Sequence, residues 1–199
     1  MLRRLLMFAS AGALVGIAVT AIAVPPASAQ TSPIETSNRM LISAASQIAI
    51  GQLQFGANTL ATAFSSALQR SRDAARADSK PIPKEIREAL EPFYSEEMLA
   101  KVRYSIGDTS PAGVAGFAIR NGNAAAVTLI DTIVFKDEVY TKNLALWAHE
   151  LHHVEQYRDW GLDGFASRYI FGWSEVEEEA SARADEFVSW YKKRTGQLQ

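Results

Sequence analysis

All three histidines of this chain fall within the run His149-Glu150-Leu151-His152-His153. Residues four apart share one face of an α-helix, so His149 and His153 can present two imidazoles to one point, with Glu150 beside them. A His-Glu-x-x-His run on a helix is the arrangement that binds zinc and places a general base in a metallopeptidase. The neighbouring residues support the helix. Leu144, Trp147, Ala148, Leu151 and Val154 recur at the i, i+3, i+4, i+7 spacing of a buried face. His149, His153 and Tyr157 form a separate stripe at spacing four. The pattern predicts a helix from about Thr141 to Trp160, closed by Gly161.

The chain has no cysteine. No disulfide supports the fold, and any metal site must be built from His, Asp and Glu. Zinc suits that donor set, and one ion with an open coordination position would lower the pKa of a water to about 7. Glu150 would accept the water proton and later deliver it to the leaving amine, a role that a purely structural zinc site does not need. A third ligand must come from elsewhere. A last helix, expected from about Ser174 to Lys192, offers Glu175, Glu177, Glu178, Glu179 and Asp185. A competing use exists for Glu177, because Ser174-Glu175-Val176-Glu177 reads as a capping box that would draw it back to the Ser174 amide. His152 is expected to face solvent or stand beside the site. Tyr157 is expected to pack below the metal rather than to stabilise an oxyanion, Tyr169 and Tyr191 have no better claim, and the four tryptophans are read as core anchors.

The rest of the chain divides into three parts. Residues 1–29 read as a secretory signal: Arg3 and Arg4, an uncharged apolar run from Leu5 to Val24, then Ala27-Ser28-Ala29 as a cleavage site before Gln30. Its removal would leave no stable membrane span. Residues 30–80 are expected to form a helical N-terminal region, uncharged between Arg39 and Arg70. This region could form a structural layer, bind a partner, or cover the site until removed. Ser71 to Ser79 reads as a charged, solvated stretch. Residues 81–199 would form the functional domain. It should contain short helices at Lys84–Glu91 and from Ser95, a strand from Val102 to Ile106, a loop from Gly107 to Gly116, one longer strand from Ala124 to Phe135, and a connecting stretch from Leu162 to Gly172. The net charge is −2, and loss of the two signal arginines makes it more negative, so there is no basic footprint for nucleic acid.

His149-Glu150-x-x-His153, followed by Glu177-x-x-Ala180-x-x-x-Ala184, resembles the gluzincin metallopeptidases. The wording His149-Glu150-Leu151-His152-His153-Val154-Glu155-Gln156-Tyr157 is most similar to the small bacterial domains named after extracellular contractile injection systems. The resemblance spans about Leu90 to Phe187. It implies His149, His153 and Glu177 as ligands of one Zn2+ and Glu150 as general base. It also implies an α+β, zincin-like fold: a small sheet, the motif helix and a second, glutamate-bearing helix. The chain departs from the pattern four residues after Glu177, where Ser181 replaces the expected acid or amide. Asp185 is the candidate to orient an imidazole instead. The expected activity is that of a secreted or periplasmic zinc peptidase, whose substrate lies extended along the strand before the motif helix. The alternative is a catalytically silent zinc-binding module that binds a partner or the cell envelope. Substrate and oligomeric state are not encoded in any motif.

Overall fold

A computed structural model describes residues 56, 58–107, 113–121 and 124–196. The expected signal peptide, its cleavage site and the first part of the uncharged region lie outside the described residues. Those described form an α+β fold with one four-stranded mixed sheet and a long C-terminal helix.

The first element, α1, is helical over residues 59–77. It continues through Ser71 and Ala75, both buried, so the stretch expected to be solvated is helix with one face in the core. Strand β1 (Lys80–Pro81) leads to α2 (Lys84–Leu90), and α3 (Glu96–Lys101) follows. The Ser95 hydroxyl caps α3 by accepting from the Met98 amide at 3.3 Å, as the sequence indicates. Strand β2 (Arg103–Ile106) also falls where expected, and α4 (Val114–Asn121) occupies part of the expected loop.

The expected single strand from Ala124 to Phe135 is a hairpin. Strands β3 (Ala126–Leu129) and β4 (Thr132–Phe135) pair antiparallel about the two residues Ile130 and Asp131. Ile130 takes a φ of 60°, which a β-branched residue rarely adopts. No Gly or Asn marks this turn, and its β-branched run reads through as strand. Arg72 of α1 fixes the turn from outside, through Nε to Asp131 Oδ1 at 2.8 Å and Nη2 to Oδ2 at 2.7 Å.

The sheet order is β1-β2-β4-β3, with β2 and β4 parallel. Strand β4 is therefore interior, and all four of its residues are buried. Successive side chains of a strand point to opposite faces. Ile133 and Phe135 join a core with Leu90, Leu99, Trp147, Leu151 and Phe187. Val134 joins a second core with Leu68, Leu129, Tyr157, Phe165 and Val176. Leu68 brings α1 into that second core. Strand β3 is an edge strand.

After a short 3-10 turn (Glu138–Lys142), α5 spans Leu144–Thr195 with non-helical backbone at Gly161 and Gly172. These breaks divide it into three segments, residues 144–160, 162–171 and 173–195. At Gly161 φ is 70° with open space around a would-be Cβ, so backbone conformation alone calls for glycine there. The expected connecting stretch after Gly161 is thus a helical segment of its own. Among the described residues no helix is long and apolar enough to cross a membrane.

Candidate metal centre

The first segment of α5 begins at Asn143, whose side chain caps the Leu146 amide at 3.1 Å. Its expected core face is the observed one: Trp147, Ala148, Leu151 and Val154 are buried in the core beneath the sheet. The Tyr94 hydroxyl donates to the Ala148 carbonyl at 2.9 Å, and the Trp147 indole donates to the Thr141 carbonyl at 2.8 Å. These bonds fix the helix at the residues just before His149.

His149 and His153 are buried at 7% and 5% exposure, with their Nε2 atoms 3.2 Å apart. The third segment brings Glu177 to them. Its Oε2 lies 3.3 Å from His149 Nε2, and its Oε1 lies 3.6 Å from His153 Nε2. These three side chains could hold a metal ion. The spacing suits one. Tetrahedral zinc with donors at about 2.0–2.2 Å sets them roughly 3.3–3.6 Å apart.

The electrostatics of the cluster are tightly linked. Burial works against an ionised Glu177, but the His149 and His153 imidazoles hold its carboxyl well below the usual carboxylate range. Burial likewise disfavours a charged His153, while Glu177 holds that ring above the ordinary histidine value. The Tyr169 hydroxyl, from the second segment, donates to Glu177 Oε1 at 3.0 Å. Burial first, and the Glu177 charge next, push the Tyr169 phenol upward.

Glu150 is 3% exposed, and the Thr128 hydroxyl lies 2.8 Å from its Oε2 and 3.0 Å from its backbone carbonyl. Thr128 belongs to the edge strand β3, so the carboxylate expected to act as base is tied to the strand expected to receive substrate.

The other candidates fall elsewhere. His152 pairs with Glu155 at 3.1 Å rather than joining the cluster. Glu178 lies 3.4 Å from the Ser174 hydroxyl, and Glu179 accepts from Gln156 at 3.0 Å. The Ser174 capping box is not formed, because Glu177 is held by the imidazoles and Tyr169 and helix continues upstream of Ser174 to Trp173. Asp185 is exposed and not the partner of an imidazole; Gln156 takes that position, with Oε1 2.8 Å from His153 Nδ1. Tyr157 packs as expected, stacked on Phe165 at 3.7 Å, with its buried hydroxyl making no hydrogen bond of good geometry although the Ile130 backbone lies close by. Burial pushes this phenol up as well. Tyr191 packs against the core near Phe187. Trp147 is fully buried and Trp160 and Trp190 partly so, but Trp173 is 47% exposed and is no core anchor.

Gln156, Thr128 and Tyr169 were not singled out as site residues by the sequence. Gln156 carries a usable signal, three residues after His153 and so on a neighbouring helix position. Tyr169 lies in the stretch expected to be irregular, which gave no face to assign.

Residues 81–161 match the family model of the eCIS core domain, the family to which the sequence resemblance also points. The matched segment contains His149, Glu150 and His153; Tyr169, Glu177 and Glu179 lie beyond it. No curated protein matches the chain, and no solved structure does.

Proposed function

We propose that this chain is a zincin-like, gluzincin-type zinc peptidase that acts outside the cytoplasm after cleavage before Gln30. The reading rests on one observation: His149 and His153 from one helical segment meet Glu177 from another at ligand spacing. Packing alone does not account for that convergence. Replacing a buried ionic cluster with apolar side chains of similar volume is commonly neutral or stabilising by about 1–4 kcal/mol. Three polar groups in a region that also holds Phe165 and Tyr157 are better explained by an ion they bind.

A divalent ion held there would acidify a water and polarise a substrate carbonyl. The chain's own residues do the rest. Glu150 takes the water proton on the carboxylate oxygen not engaged by Thr128 and returns it to the leaving amine. Thr128 keeps that carboxylate in one orientation. An extended peptide adds to the open edge of β3, which places a backbone carbonyl near Glu150.

The second reading is a metal-binding module without hydrolytic activity. The near-complete burial of Glu150 and its bond to Thr128 favour it, since a base must reach water. Glu150→Gln separates the two. The peptidase reading expects metal content to stay at the wild-type level while cleavage of a mixed peptide library falls by at least about a hundredfold. Cleavage equal to wild type would remove Glu150 as the base. A wild-type protein that binds zinc and cleaves nothing would favour the silent module.

A further inference from the structure

Gln156 sits between the two helical segments that supply the cluster. Its Oε1 lies 2.8 Å from His153 Nδ1. Its Nε2 lies 3.2 Å from the Val176 carbonyl and 3.0 Å from Glu179 Oε2. The side chain is 3% exposed.

The partners decide which way the amide faces. A backbone carbonyl and a carboxylate can only accept, so both require the amide NH2. The amide oxygen is then left for His153, where it can only accept. His153 Nδ1 must therefore carry the proton, and in the neutral ring Nε2 keeps the lone pair. Nε2 is the atom that faces His149 and Glu177.

We propose that Gln156 is a positioning residue that sets the tautomer and ring orientation of His153. It reads this orientation from the third segment of α5, the same segment that carries Glu177. Val176 and Glu179 flank Glu177 in sequence, so the lone pair of one ligand and the position of another are fixed by one short stretch. His153 becomes a ready donor only when that stretch is docked. This inference rests on the reading of the cluster as a metal site, but its structural half does not need the metal.

Two readouts keep these apart. Nitrogen-15 spectra of the imidazole rings, taken metal-free at a pH where the rings are neutral, report the tautomer directly. Wild-type His153 should show a protonated Nδ1, and Gln156→Met should show a mixture or the opposite tautomer. Zinc affinity, measured by competition with a chromophoric chelator, should fall about 10–100-fold in Gln156→Met. The exchange Gln156→Glu with Glu179→Gln reverses the donor and acceptor between the two positions but leaves an acceptor on His153. It should restore the tautomer and part of the affinity, because the Val176 carbonyl loses its donor while His153 keeps its acceptor; a loss of packing volume would allow neither recovery. The double variant also serves if Gln156→Met does not fold. A wild-type His153 protonated at Nε2, or Gln156→Met binding zinc within about threefold of wild type, would overturn the inference. A wild type with the expected tautomer that binds no zinc would overturn the metal reading and leave the role of Gln156 in orienting the ring intact.

Discussion

Glu177 receives three polar contacts in a largely buried setting: two imidazoles and the Tyr169 hydroxyl. Its ionisation depends on the imidazoles outweighing the cost of burial, so each donor to it matters more than the same bond would in water. Tyr169→Phe removes one donor without changing the packing of the ring, which stacks against Phe165 and Phe64. We expect zinc affinity to fall by about tenfold, the lower end of the range for residues that hold a ligand in place. Tyr157→Phe is the control, because its hydroxyl makes no good hydrogen bond, and affinity should be unchanged. Equal affinity in both variants, by chelator competition, would mean that Tyr169 does not orient Glu177.

The hairpin between β3 and β4 shows where sequence patterning stops being legible among the elements. The motif segment was readable because its apolar spacing and its histidine stripe are both periodic. The hairpin was not, because its turn uses Ile130 at positive φ instead of Gly or Asn, and the strands on either side are rich in β-branched and apolar residues. Its stabilisation comes from a distant residue, Arg72 of α1, which pairs with Asp131 on both carboxylate oxygens with help from Arg76 at 3.1 Å. No local pattern encodes such a contact. Burial opposes an ionised Asp131, yet Arg72 holds its carboxyl below the ordinary value. A carboxyl lowered in the fold stabilises the protein at pH above its unfolded value, and that gain disappears as pH falls through the folded value. Arg72→Ala should therefore cost about 1–2 kcal/mol at neutral pH, as expected for a partly exposed two-point pair. The difference from wild type should shrink below roughly pH 4, where the unfolded carboxyl takes up its proton. Urea unfolding of both proteins across this range tests it, and a difference that persisted undiminished at low pH would assign the effect to packing.

At the scale of the whole molecule, the site is assembled from parts far apart in sequence: a stripe on the first segment of α5, an acid on the third, a hydroxyl on β3 and a phenol between the two glycine breaks. The pairing of the two imidazoles, with Glu150 beside them on the helix, was legible from spacing alone. Spacing offered Glu177 only as one of several acids on an expected helix, and the resemblance singled it out; the fold brings it to His149, and the capping alternative failed because helix already exists upstream of Ser174. Gln156, three residues after His153, was within reach of the spacing argument, but its bonds to Val176 and Glu179 depend on how the first and third segments dock. The eCIS core match ends at residue 161, so the half of the site beyond Gly161 rests on the geometry alone. The most direct test of the account is the metal content of purified protein comprising residues 30–199, measured beside His153→Ala and Glu177→Ala. The account predicts about one equivalent of zinc in the wild type and its loss in both variants. Wild-type protein that takes up no metal when zinc is supplied, or Glu177→Ala protein that retains a full equivalent, would contradict it.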